Sequence, residues 1–196
     1  MATRVYLAFD ERMALHKPLP EVPVEGEFHS DEAPFENCNR IFAIYKKLIQ
    51  LETNDGYRRF IEIPCIPAKR ETIELCHSPE HYDNMLRTMS MSDEELRMMT
   101  VPNDLYFCKD TFLAAKLAVG GVVECVNAVT NDKRRSNRAI ALVRPPGHHA
   151  TRDEAMGKSC ERERSQVVHL IVFPVRVCSN LGCLEQRLCE SRFLLL

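Results

Sequence analysis

The sequence predicts an α/β fold, a parallel sheet flanked by helices, and three observations carry that expectation. Short β-branched and apolar runs of strand length stand at residues 5–9, 60–66 and 139–143. Longer segments of helical periodicity fall between them. The last run ends in Arg144-Pro145-Pro146-Gly147-His148-His149, a polar turn at the carboxyl end of a strand, where an open α/β sheet gathers its chemistry.

Taken in order, residues 5–9 form a first strand whose exit at Asp10 carries a loop. Residues 16–37 are rich in Pro, Glu and Asp without periodicity and read as a long surface loop. From Ile41, the residues Ile44, Tyr45, Leu48 and Leu51 recur at helical spacing with Lys46, Lys47 and Gln50 on the other side, which predicts an amphipathic helix of roughly 12 residues. Residues 60–66 alternate apolar and polar side chains ahead of Pro67, as a second strand does. Ser78-Pro79 places a capping hydroxyl before a proline at the first helical position, and Ser92 with Glu95 spells a capping box. Residues 111–130 make the longest helix; Gly120-Gly121 in its middle costs helix propensity unless backbone passes close there. Residues 133–137 are a polar turn, and the apolar run 139–143 is the strand that leads to the histidines.

Composition bounds the function. The 196 residues are 45% hydrophobic and 28% charged with a net charge of −2, which fits a globular protein with no basic face for direct nucleic-acid binding. A link to chromatin is therefore expected to run through partner proteins. The stretch 111–130 is interrupted by Lys116 and Glu124, so a buried helix is expected rather than a membrane span. The first ten residues lack a signal-peptide pattern, and the nine cysteines are an odd, scattered set, so reduced thiols in the nucleus or cytoplasm are expected.

Two adjacent histidines on a rigid turn suit proton transfer, because imidazole titrates near neutral pH. From local sequence alone the pair reads equally well as one ring satisfying a buried hydrogen bond and one ring solvated. The wider string Ala141-Leu142-Val143-Arg144-Pro145-Pro146-Gly147-His148-His149-Ala150 resembles the signature of the histone deacetylase family. Asp10-Glu11-Arg12-Met13 with His16, residues 36–48, His77-Ser78-Pro79-Glu80-His81, and the stretch from Tyr106 through Thr111 to Gly120-Gly121 resemble further parts of that domain, in order. The similarity is greatest to the class II branch found in fungi and covers residues 1–157.

The resemblance implies an arginase/deacetylase-like parallel sheet, and hydrolysis of the acetyl-lysine amide in histones or other proteins with Zn2+ as cofactor. His148 would be the imidazole paired with a buried aspartate, and His149 the general base. Gly157 would line the acetyl-lysine tunnel, and Arg40 would match the arginine near its inner end. Where the family has His-Pro-Glu-x-Pro before its first long helix, this chain has Pro34-Phe35-Glu36-Asn37-Cys38, which alters the tunnel rim.

After Gly157 the similarity ends. The family's zinc is held by an Asp-x-His pair and a further aspartate, yet no aspartate follows Asp153 and no tyrosine follows Tyr106. The expectation is a sheet left incomplete, no metal ligands in this chain and no activity of the chain alone, with residues 158–196 an unrelated tail that is disordered or aberrant. Cys160, His169, Cys178, Cys183 and Cys189 do not form the paired spacing of a structural zinc site. Residues 167–177 and the terminal Phe193 with three leucines read as aggregation-prone if exposed. Two other readings stay open: a non-catalytic fragment that binds deacetylase complex subunits as a decoy, and a relative of the acetylpolyamine amidohydrolases, which share the Pro-Gly-His-His turn.

Overall fold

The computed structural model describes residues 4–20, 37–100, 105–131, 136, 138–145, 152–153 and 192–195. Four parallel strands, β1 (Val5–Ala8), β2 (Phe60–Ile63), β3 (Arg138–Ala141) and β4 (Arg192–Leu195), form one sheet in the order β2-β1-β3-β4. Val5 pairs with Phe60 and Ala8 with Ile63, while Tyr6 faces Ala139 and Ala8 faces Ala141 across the other edge of β1. Only crossovers can join parallel neighbours, and the described helices lie in the connections from β1 to β2 and from β2 to β3.

The first crossover runs through helix α1 (Cys38–Asp55). It is longer than the periodicity predicts because both ends are stopped chemically: the Asn37 side chain caps the Asn39 amide, and Gly56 closes the C-terminus at φ 63°, a left-handed conformation that favours glycine. Ile41 is buried, and Ile44, Tyr45 and Leu48 pack on the sheet core, whereas Leu51 stays 44% exposed. β2 ends at Ile63 since Pro64 has no amide proton to continue the ladder.

Three short helices come next in the chain: α2 (Arg70–Glu74), α3 (Pro79–Arg87) and α4 (Asp93–Met99). Ser78 caps α3 with Pro79 in its first turn, and Ser92 and Glu95 make both bonds of the capping box on α4, as the sequence predicts. Helix α2 lacks the periodic and capping signals of its neighbours; its N-cap position is Lys69, which makes no capping bond.

Helix α5 (Thr111–Asn131) is the centre of the molecule. Its length and composition would suffice to cross a membrane, yet most of it is buried inside the protein, as expected for a core helix. Leu117, Ala118, Val122, Cys125 and Val129 join Tyr6, Leu7, Ala8 and Leu142 in the core against the sheet. Phe112, Ala115 and Val119 face a second cluster with Ile73, Tyr82, Met85, Leu96 and Phe107. Each fully buried Leu or Phe contributes about 1.5–3 kcal/mol, so a helix serving two clusters accounts for much of the stability.

β4 comes from the terminal apolar run and pairs with β3 from Arg138↔Arg192 to Ala141↔Leu195. The stretch 167–177, the expected loop beyond residue 20, and most of the polar turn 133–137 lie outside the described residues.

Candidate functional site

The carboxyl ends of β1 and β3 lie side by side, and the loops leaving the two strands meet there. After β1, Asp10 caps a 3-10 helix, Glu11–Leu15, through the Arg12 amide and forms a 2.7 Å ion pair with the Arg12 side chain. That hydrogen-bonded guanidinium holds the Asp10 carboxyl below its ordinary range. The short helix delivers Met13 and His16 inward, both wholly buried.

After β3, the chain turns at Arg144, whose peptide bond to Pro145 is cis. Arg144 is buried at 3% exposure, so its charge requires a full set of acceptors. Its guanidinium donates to the Met13 carbonyl at 3.1 Å, to the His16 carbonyl, and to the Tyr106 hydroxyl at 2.6 Å. Its backbone amide donates to the Met13 sulfur at 3.3 Å. The loop after β1 and the turn after β3 are thereby joined through one side chain. The His16 ring stacks on Tyr106, with centroids 4.5 Å apart and planes 6° from parallel, and its Nδ1 lies 2.9 Å from the Thr111 hydroxyl. Burial, and next the Arg144 charge, push the His16 pKa well below its ordinary value, so the ring is neutral.

A second histidine pair lies at the start of α3. His77 and His81 stack with centroids 4.9 Å apart. Each Nδ1 donates to a backbone carbonyl, His77 to Arg152 at 2.6 Å and His81 to Asp153 at 3.0 Å. A carbonyl only accepts, so the proton of each ring sits on Nδ1. The Asp153 carboxyl, lowered chiefly by the Ser78 hydroxyl, completes the attachment of residues 152–153 to this helix end. Burial lowers the His77 pKa, against the opposing pull of its carbonyl bond.

These two clusters bracket the segment that carries the sequence-predicted histidines. Arg144 lies before it and residues 152–153 after it, while His148, His149 and Gly157 themselves lie outside the described residues. Arg40 stands exposed in the first turn of α1. Motif spacing does not disclose Arg144 and Tyr106 as a buried pair. The available signal was an arginine close behind an apolar strand and directly before two prolines, a position where a charge must be paired or exposed.

Among the described residues no three His, Cys, Asp or Glu side chains converge as metal ligands. The Cys65 and Cys125 thiols are pushed up to about 12 by burial, which disfavours the thiolate a metal needs.

A parallel sheet flanked by helices, with a buried arginine tying the loop after β1 to the start of the turn after β3, defines an α/β protein of the arginase/deacetylase-like fold. The histone deacetylase domain matches residues 34–160, and the chain belongs to that family. It is 34% identical over 158 residues to the polyamine deacetylase HDAC10 of Danio rerio, covering 80% of this chain and 22% of that protein. It is likewise 34% identical over 154 residues to the histone deacetylase HDA1 of Candida albicans, covering 74% of this chain and 18% of the other. The crystal structure of the HDA15 HD domain superposes with a TM-score of 0.58 at 28% identity, over 79% of this chain and 39% of that one. The chain thus spans about a fifth of the length of the curated relatives it matches.

Proposed function

We propose that residues 1–157 form the N-terminal part of the catalytic domain of a class II, zinc-dependent lysine deacetylase, acting on histones or other acetylated proteins in the nucleus or cytoplasm. In this reading residues 158–196 are a tail unrelated in sequence to that domain beyond residue 160, of which 192–195 extend the sheet as β4. The observation that carries this reading is the Arg144 junction: a buried guanidinium ties the loop after β1 to the turn that leads into His148 and His149. Such support is what a pair of proton-transferring imidazoles needs, since a site displaced by an ångström loses much of its rate. In the family the metal supplies an activated water and polarises the amide carbonyl. We propose further that the 196 residues by themselves neither hold zinc nor hydrolyse acetyl-lysine. No aspartate follows Asp153, and the described donors do not converge on a metal.

A second reading changes the substrate. The similarity to a protein named as a polyamine deacetylase is as high as that to a fungal histone deacetylase, so an N-acetylpolyamine is the competing substrate.

The test is zinc content together with hydrolysis of an acetyl-lysine peptide and of an N-acetylpolyamine by the purified chain, with His149→Ala as control. The expected result is no zinc and no turnover of either. Stoichiometric zinc with turnover abolished in His149→Ala would overturn the inactivity, and the better substrate would then decide between the two readings.

A further inference from the structure

A small pocket between α1 and the paired ends of β1 and β2 has no part in the functional reading. The register sets Leu7 beside Glu62 and Ala8 beside Ile63. Register partners project to the same face of a sheet, so Leu7 and Glu62 share one face, and α1 brings Tyr45 onto Glu62 there. Together with Phe9, Ile63 and Pro64, these three residues line a cavity of about 210 Å3.

The lining combines a π wall with a negative charge. Phe9 and Tyr45 stack with centroids 4.2 Å apart and planes 15° from parallel, and Phe42 meets Phe9 edge-on at 6.1 Å. The Tyr45 hydroxyl donates to Glu62 Oε1 at 2.7 Å, which holds the carboxylate at the aromatic wall. That bond, and next burial, raise the Tyr45 phenol to about 12, and the two charges that act on it, Glu62 and Glu52, are both acidic. Glu52 is engaged on the Phe60 amide at 2.6 Å. Among the described residues Glu62 has no cationic partner; Arg12, in the loop that Phe9 leads into, is held by Asp10 instead.

An unneutralised carboxylate beside two aromatic rings repels anions. A hard metal ion takes about six oxygen ligands, whereas these side chains offer one carboxylate and one phenol. An organic cation suits both halves of the lining: the carboxylate accepts its N–H, and π electrons attract a charge within about 6 Å of a ring centre. We propose that this pocket binds a primary alkylammonium group, with the ammonium on Glu62 and the alkyl stem along Leu7, Phe9 and Pro64. The volume is below the roughly 300 Å3 at which drug-sized sites begin, so the occupant is a headgroup of a few heavy atoms. Free small amines and the lysine side chain of a protein share that chemistry. None of the lining residues takes part in the Arg144 junction, and the proposal stands independently of the deacetylase reading.

The test is saturation-transfer difference NMR of the full chain with butylammonium chloride, with 1-butanol as the neutral counterpart and an acetyl-Gly-Lys-Gly-amide peptide as the protein-borne amine. Butylammonium is expected to bind with a Kd of about 1–10 mM, as suits so few heavy atoms, and 1-butanol at least about tenfold more weakly. Glu62→Gln, at an exposed position, weakens butylammonium at least about fivefold, since the ion pair is lost. Phe9→Leu keeps an apolar wall without the ring and weakens it about threefold. Circular dichroism melts establish that both variants fold, and Glu62→Gln alone serves if Phe9→Leu does not. Peptide binding equal to that of butylammonium assigns the pocket to a lysine side chain, and binding of butylammonium alone assigns it to a free amine. No saturation transfer at about 20 mM butylammonium overturns the proposal, as does binding unchanged in Glu62→Gln. Equal binding of 1-butanol also overturns it, in favour of an apolar cleft without charge selection.

Discussion

Gly120 lies against the carbonyl of Ile66 so closely that a Cβ on it would sit 1.7 Å from that oxygen and 2.7 Å from its carbon. The extended segment after β2 crosses α5 at this point, and the Ala68 amide donates to the Lys116 carbonyl at 2.9 Å. Both partners are backbone and cannot rotate away. Gly120→Ala is therefore expected to cost about 3 kcal/mol or more, at or beyond the upper end for overpacking a core. Gly121→Ala meets the Cys65 sulfur at 2.9 Å, which is a side chain and can shift. The alanine also gains about 0.8–1 kcal/mol of helix propensity, so a net loss near 1 kcal/mol is expected. Urea denaturation of the two variants checks the ranking, and equal losses would mean that the Ile66 backbone can yield at the crossing.

The glycine pair also shows what a sequence can disclose. Two glycines inside an otherwise strong helical pattern call for a close backbone approach, and the Ile66 backbone supplies it at Gly120, while Gly121 meets the Cys65 side chain. The three strands, α1, α5 and both capped helix starts were legible for the same kind of local reason. Helix α2 was not, because Lys69 offers no capping side chain. Of the site, the motif around the histidines could be read, but its support could not: Met13, His16, Tyr106 and Arg144 are brought together by the β1–β3 pairing and not by any local pattern.

Arg144→Ala is expected to destabilise the chain by about 2–4 kcal/mol, because it leaves two buried carbonyls and the Tyr106 hydroxyl short of a donor. Tyr106→Phe removes one acceptor and keeps the ring against His16, so a loss of about 1–2 kcal/mol is expected. The two residues share a bond, and the double variant should lose less than the sum. Additivity in a double-mutant cycle by chemical denaturation would mean that the 2.6 Å contact carries no coupling.

Stability is expected to fall on acidification below neutral pH through His16. Its folded pKa is depressed by burial and by the Arg144 charge, whereas in the unfolded chain it titrates near the ordinary value of 6.5. Between the two values the unfolded state binds the extra proton, so stability is complete above about pH 6.5 and declines as pH drops toward the folded pKa, by about 1.4 kcal/mol per unit at most. His77, also lowered by burial, adds in the same direction. Unfolding free energies from pH 5 to 8 should show a shallower slope in His16→Asn than in the parent chain; identical slopes would place the proton elsewhere.

Thiol reactivity should separate the described cysteines by burial. Cys65 and Cys125 are buried in the core cluster between sheet and helix, and burial pushes both up to about 12, so almost no thiolate exists at pH 8. Cys125 is further held by its bond to the Ile140 carbonyl at 3.5 Å. Cys38, in the first turn of α1, and Cys76, next to His77 in the chain, are partly exposed. Alkylation with iodoacetamide at pH 8, read by peptide mass spectrometry, should therefore label Cys38 and Cys76 at least about tenfold faster than Cys65 and Cys125, since the thiolate is the reacting form. Labelling of the core pair should accelerate only when denaturant opens the cluster, and its rate then reports unfolding of β1, β3 and α5 as one unit. Rapid labelling of Cys125 in the native chain would mean that α5 is not seated on the sheet.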